Sequence, residues 1–292
     1  MENGIHGYHP FVMLMYYIYI GSLAMYVTHP IFLVIGTLLI VAVNFTHDRG
    51  RTLRKWFPIY GAMIILIVVL NPFLVSRGTN ILFYFRGKQV TLEALMYGIV
   101  MALSIVIILM LFLSFNHVLN GNKFLFIFSR ILPRTAFLMM LAIRFVPLLK
   151  DRLDEINAVQ RVRGLTMTDG PIRQRAKTGL VKIQILLTWS MEEAVQTADS
   201  MKVRGYGSGR KTSYMPYRME GRDWGWLASM TGLFAIVIAG GSLGYGKILI
   251  YPELGTLHLF ALDWVVLAAM TVLYSFPLLV EGREYIRWMR LT

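Results

Sequence analysis

The sequence predicts an all-α polytopic membrane protein, with about six membrane spans and a cytoplasmic-face domain built on two long helices. Three observations predict it. The 292 residues are 56% hydrophobic and only 15% charged, whereas a soluble domain carries about a quarter charged residues. The apolar excess, which gives a mean hydropathy of +0.58, gathers into runs of about 20 residues, the length of a helix that crosses hydrocarbon. The polar residues gather into one long segment, 150–225, which holds about half of the 29 basic residues.

The apolar runs are 11–27, 30–46, 57–76, 91–116, 226–250 and 257–280. The first begins at Phe11 without a basic leader or a small-residue cleavage site, so it reads as a retained span and not a signal peptide. Thr28-His29-Pro30 makes a tight turn into the second. Between the second and third lies "HDRGRTLRK", 47–55, read as a loop with Arg49, Arg51, Arg54 and Lys55. The excess of Lys and Arg on cytoplasmic loops places it inside the cell. Counting spans then puts both termini in the cytoplasm, along with 117–123 and the tail bearing Arg283, Arg287 and Arg290. The connections 77–90 and around Tyr251-Pro252 fall outside. This pattern and anionic lipid account for the net charge of +13 without nucleic acid. The absence of Cys excludes disulfides, thiolate chemistry and Cys-ligated metal.

Segment 124–149 is apolar but carries Arg130, Arg134 and Arg144 with Pro133 and Pro147. A central Arg costs roughly 2.5–3.5 kcal/mol to insert. One or two amphipathic helices at the cytoplasmic face, broken at Pro133, suit it better than a crossing. Beyond it, apolar residues at three- and four-residue steps predict a helix over 144–163 and a second over 174–204, separated by a "TDGP" turn at 168–171. The domain division is therefore 1–123, 124–225 and 226–292.

Both long helices end on the same tripeptide, Val162-Arg163-Gly164 and Val203-Arg204-Gly205. A cation before a capping glycine is ordinary, because it complements the helix dipole by a few tenths to about 1 kcal/mol. Two copies at two matching helix ends are less ordinary. A guanidinium at a protruding tip can enter a partner's groove and take a carboxylate bidentately, while the glycine lets the chain turn away. Two such plugs suggest two similar sockets, hence two homologous partner subunits.

With these motifs the sequence resembles the transmembrane T component (EcfT or CbiQ-like) of energy-coupling factor importers. Supporting stretches are "HPF" at 9–11, "NPF" at 71–73, "GKQVTLEALMYG" at 87–98, "LAIRFVPLL" at 141–149 and "YPEL" at 251–254. The resemblance covers most of the chain; family members commonly have Ala where this chain has Val162 and Val203. It implies a non-catalytic scaffold in the cell membrane that links two ABC-type ATPase subunits to a separate substrate-binding S component, for vitamin or metal-ion uptake. Val162, Arg163, Gly164, Val203, Arg204 and Gly205 would engage the ATPases. The S component would ride on apolar residues, with Met139, Met140, Leu180, Ile183, Leu187 and Met191 as candidates; bilayer or core filler is the bland account of those Met residues. No cofactor is implied in this chain, since ATP would be bound by the partner ATPases. The competing class is a membrane-bound enzyme acting on lipid or isoprenoid substrates, which needs clustered acids or His at the membrane face.

No such cluster is legible. The six His are scattered, "GYGSGR" at 205–210 lacks the Gly-Lys-Ser/Thr ending of a phosphate loop, and Glu192-Glu193 reads as solvated charge. Asp263, at the outer end of the last span, reads as a solvated interfacial acid beside Trp264.

Overall fold

The computed structural model describes residues 7–48, 50–75, 78–85, 88–163, 171–209, 217–251, 255 and 258–289. Ten helices and one small hairpin are present among them, in the order α1 (Pro10–Tyr26), α2 (Pro30–Asp48), α3 (Arg51–Leu74), β1 (Ile81–Phe85), β2 (Lys88–Thr91), α4 (Leu92–Val118), α5 (Gly121–Ile131), α6 (Pro133–Val162), α7 (Ile172–Val203), α8 (Gly221–Ser242), α9 (Ala261–Tyr274) and α10 (Phe276–Met289). The chain divides into two compact units, Met1–Phe124 with Tyr217–Thr292, and Leu125–Pro216.

The first unit holds all six apolar runs as helices. Three of them, α3, α4 and α8, are long and apolar enough to cross a membrane alone. The fourth candidate is α9 with the start of α10, bent by 53° at the break between them. The helices α1 and α2 are apolar but short, 17 and 19 residues, near the lower limit for spanning. The basic stretch 47–55 is not a loop: Arg51, Arg54 and Lys55 lie in the opening turns of α3, after Gly50, which turns the chain at φ 77°.

At the centre of this unit stands α4, packed against α1, α2 and α3. Apolar contact alone drives helices together weakly in lipid, so close approach and paired polar groups carry the association. Tyr17 of α1 shares a hydrogen bond with Ser114 of α4 at 2.9 Å. Asn44 of α2 donates to the Met110 carbonyl at 3.1 Å. Asn71 of α3, from the "NPF" stretch, donates to the Ala94 carbonyl at 3.0 Å. Gly98 faces Asn71 so closely that a Cβ would sit 3.2 Å from it. On the other side, Gly240 and Gly241 of α8 meet Val266 of α9 and the ring of Tyr26 of α1 with no room for a methyl. These glycines let α8 wedge between two neighbours.

Asp263 is buried and structural, contrary to the solvated reading. It accepts from the Phe260 amide at 2.9 Å, capping α9, and from the Gly246 amide at 2.9 Å, pinning the α8–α9 connection. That connection also takes an amide from His29, which donates to the Gly246 carbonyl at 3.2 Å. Burial pushes the His29 imidazole below its ordinary value, and the Asp263 carboxylate partly opposes the shift.

In the second unit, the chain breaks at Leu132 and Pro133 takes the first position of α6, where a missing N–H costs nothing. The helix does not stop near 149. It runs 30 residues through Pro147, which withholds one hydrogen bond from the Ile143 carbonyl without ending the helix. The expected 144–163 helix is therefore only the second half of α6. The second long helix, α7, runs 32 residues, close to the expected 174–204. At 1.5 Å per residue the two rods measure about 45 and 48 Å.

Candidate functional site

The two rods pack side by side in opposite directions. Near one end, Phe137 of α6 stacks on Tyr206 just past α7, ring centroids 5.1 Å apart. Further along, the Arg152 guanidinium lies 4.6 Å over the Trp189 ring. Beyond that, Lys182 donates to the Asn157 side-chain oxygen at 2.8 Å. Each step up α6 is a step down α7, so the rods are antiparallel.

Their contact face is unusual. The residues of α7 buried against α6 are Thr178, Gly179 and Lys182, small or polar. The apolar stripe lies elsewhere: Leu180, Ile183, Leu187 and Met191 are 66, 52, 59 and 72% exposed. Their three- and four-residue spacing keeps them on one line of the helix. On α6, Met139 and Met140 are likewise exposed, as are Leu138, Ile143 and Val146. The buried residues of α6 are Ala136, Ile156 and Gln160; a helix pair that leaves such long apolar stripes facing outward is stable only if something apolar covers them. Lys182, Asn157 and the Arg152–Trp189 contact were not singled out from sequence. The available signal was that the stripe running from Leu180 passes over Lys182 and leaves it on the opposite, inter-helix side.

At the two tips, the arginines of the repeated tripeptides take the same backbone conformation. Arg163 has φ −78° and ψ 3°, and Arg204 has φ −76° and ψ 5°. The Arg163 amide donates to the Arg161 and Val159 carbonyls, and the Arg204 amide to the Lys202 and Ser200 carbonyls, at matching offsets. Val162 and Val203 are 90 and 89% exposed, and both arginines are exposed. Neither guanidinium makes an ion pair among the described residues. Gly205 then turns the chain at φ 80°, with its amide on the Lys202 carbonyl at 2.9 Å and the Tyr206 amide on the Met201 carbonyl at 2.9 Å. This pair of bonds satisfies the last carbonyls of α7 and requires a residue that tolerates positive φ. Gly164 lies outside the described residues, as do 168–170 of the expected turn and 252–254 of "YPEL".

Because the rods are antiparallel, the tips are far apart. The Phe137–Tyr206 stack fixes one end; Arg163 follows Phe137 by about 26 residues of helix, or roughly 40 Å. Each tip borders its own groove. The one beside Arg163 measures about 390 Å³ and is lined by Arg152, Glu155, Gln160 and Trp189; the one beside Arg204 measures about 570 Å³ and is lined by Arg144, Asp151, Glu193 and Met201. Among the described residues, no group of three or more His, Asp or Glu is placed to hold a metal ion. His9 instead caps α1, accepting from the Phe11 amide at 3.2 Å.

Comparison with known proteins is consistent across sources. Residues 1–215 match the model of the CbiQ family, described as a cobalt transport protein. An energy-coupling factor transporter transmembrane protein EcfT of Clostridium kluyveri is 29% identical over 223 residues, 72% of this chain and 80% of the relative. The EcfT of Acidaminococcus fermentans is 28% identical over 70% of this chain and 78% of its own length. That of Staphylococcus aureus is 25% identical over 65% and 75%. The match spans the rods and both tripeptides and stops before α8.

Proposed function

The chain belongs to the CbiQ family, and from that premise we propose that its paired rods couple ATPase subunits to a substrate-binding neighbour. The membership and the EcfT relatives make it a transmembrane component of an energy-coupling factor transporter, a transport subunit and not a catalytic enzyme. In the proposed arrangement the Val-Arg-Gly tips, at Arg163 and Arg204, each dock on one of two ABC-type ATPases in the cytoplasm. ATP is bound by those partners. The exposed stripe formed by Leu180, Ile183, Leu187 and Met191, with Met139 and Met140, carries the membrane-embedded S component, which selects a vitamin or metal ion. Both termini lie in the cytoplasm, on the side of the basic residues at the head of α3.

One observation carries the reading: two sequence-identical tips whose arginines share one backbone conformation and whose valines are nearly equally exposed, held roughly 40 Å apart by one antiparallel pair. Equal shape suits equal sockets; the separation gives each ATPase its own. The guanidiniums support the fold little, so their exposure is explained by what docks there. Rigid rods pinned by Lys182–Asn157 and Arg152–Trp189 transmit a push at either tip along the pair.

The test is Arg163→Ala with Arg204→Ala. Losing one desolvated charge pair costs about 2–5 kcal/mol of binding. The tips are far enough apart for the two losses to add. The variant chain inserts normally but no longer co-purifies with ATPases or supports ATP-driven uptake in reconstituted vesicles. Normal uptake by the double variant would refute the proposal.

A further inference from the structure

The hairpin between α3 and α4 was expected to be a plain external loop, yet it is an antiparallel pair in which Phe83 opposes Val90 and Tyr84 opposes Gln89. Its first strand is five apolar residues in a row, Ile81–Phe85. Alternation along a strand sends successive side chains to opposite faces. Both faces are open here: Ile81, Leu82, Phe83 and Tyr84 are 42, 52, 52 and 64% exposed. An isolated two-stranded hairpin is marginal in water, and a strand that is apolar on both faces has no reason to stay exposed there.

It is nevertheless firmly tied to the head of α4. The Leu92 amide donates to the Asn80 carbonyl at 3.0 Å. One Glu93 carboxylate oxygen accepts from the Asn80 amide at 3.0 Å, the Asn80 side chain at 2.9 Å and the Thr79 hydroxyl at 3.3 Å. Gly78, at φ 132°, passes so close to that carboxylate that no Cβ fits.

The tie fixes the depth of the hairpin. The uncharged apolar stretch of α4 runs from Ala94 to Phe115, ~22 residues or about 33 Å, which matches a hydrocarbon core of about 30 Å. Thr91 and Glu93 therefore mark the hydrocarbon edge. One turn into α4, Tyr97 meets Tyr251 with centroids 5.7 Å apart, so aromatic rings already gather at this level. Tyr and Trp favour that boundary. We propose that β1 lies in the lipid interface of the leaflet at the α3–α4 end, with Leu82, Phe83 and Tyr84 against the acyl-chain boundary. The occupant of this face is lipid. The strand serves as an aromatic anchor that holds α4, the hub of the first unit, at a set depth; interfacial anchors of this kind govern tilt and depth of spanning helices. This rests only on membrane residence, not on the coupling reading.

The absence of native Cys makes the test direct. Phe83→Cys and Tyr84→Cys each offer one attachment point for a nitroxide on the full-length chain, reconstituted in phosphatidylcholine–phosphatidylglycerol vesicles. Collision with oxygen, which concentrates in the bilayer, is compared with collision with a water-soluble nickel chelate. Leu66→Cys, exposed midway along α3, sets the lipid reference, and Ser208→Cys, at an exposed turn, the aqueous one. The expected result is an oxygen-over-nickel ratio at Phe83 shifted toward Leu66, with Tyr84 between the references. Nickel access at both positions equal to that at Ser208 puts the strand in water and overturns the proposal. Low access to both reagents with an immobilised spectrum also overturns it, by showing a protein cover.

Discussion

Gly205→Ala isolates the geometry of one tip from its charge, because Arg204 stays in place. Gly205 holds φ 80°, and a Cβ there would stand 3.1 Å from the Ser208 hydroxyl oxygen, which itself donates to the Gly205 carbonyl at 2.6 Å. An alanine forced into the left-handed region costs about 1–2 kcal/mol. The escape is to open the cap, which forfeits two backbone hydrogen bonds at about 0.5–1.5 kcal/mol each. It also forfeits the Phe137–Tyr206 stack, about 0.5–1.5 kcal/mol more. Strain is the cheaper course, so the cap stays closed but opens more often. A change of one to two kcal/mol is a factor of about 5–30 in that equilibrium. Amide hydrogen exchange at positions 205 and 206 should accelerate by that factor, with mid-helix amides near Leu187 unchanged. Uptake should fall, since the tip spends less time correctly presented. Gly209→Ala, where a Cβ meets nothing within 4 Å, is the control and should leave both readouts alone. Gly205→Asn, which tolerates positive φ, should retain most of the protection. Unchanged exchange at 206 in Gly205→Ala, or equal acceleration in Gly209→Ala, would refute the reasoning.

Other expectations concern the fold that presents the tips. Gly241→Ala drives a methyl into the Tyr26 ring and should lower stability in detergent by about 1–3 kcal/mol, while Gly232→Ala, in open space on the same helix, should not. Asn157→Leu strips the buried Lys182 ammonium of its acceptor and should cost about 1.5–3 kcal/mol; adding Lys182→Met, which removes the stranded charge, should recover most of that in the melting curve. The depressed His29 value means that, below about pH 6.5, the unfolded chain takes up a proton that the native chain resists. Stability should therefore fall as pH drops through that value toward the lower native one, and His29→Gln should flatten this part of the pH–melting profile; an identical slope in the variant would exclude His29 as the cause.

How far the sequence alone reached follows from which forces are local. Membrane residence, helical class and the six apolar stretches were legible, because a span is decided by twenty or so consecutive side chains and nothing distant. The two rods and their arginine ends were legible for the same reason: three- and four-residue spacing and a following glycine are local signals. The capped tip at Gly205 came out as read, while the start of α6 did not: the expected helix began at Arg144, whereas α6 runs unbroken from Pro133, so the stretch read as a separate interfacial segment is its first half. The basic stretch at 47–55 misled in the opposite direction, since charge marks a membrane side but not where a helix begins.

What only the tertiary structure decided depends on contacts between residues far apart in the chain. Asp263 looked like a solvated acid until the Gly246 amide was seen to reach it across the α8–α9 connection. The hairpin emerged because Glu93 gathers Asn80 and Thr79, groups whose pairing no spacing rule announces. Above all, the antiparallel register set by Phe137–Tyr206 and Asn157–Lys182 separates Arg163 from Arg204 and turns the apolar stripes outward. A sequence states which residues a helix carries; which face it hides, and how far apart two helix ends come to rest, is settled by the neighbour it packs against.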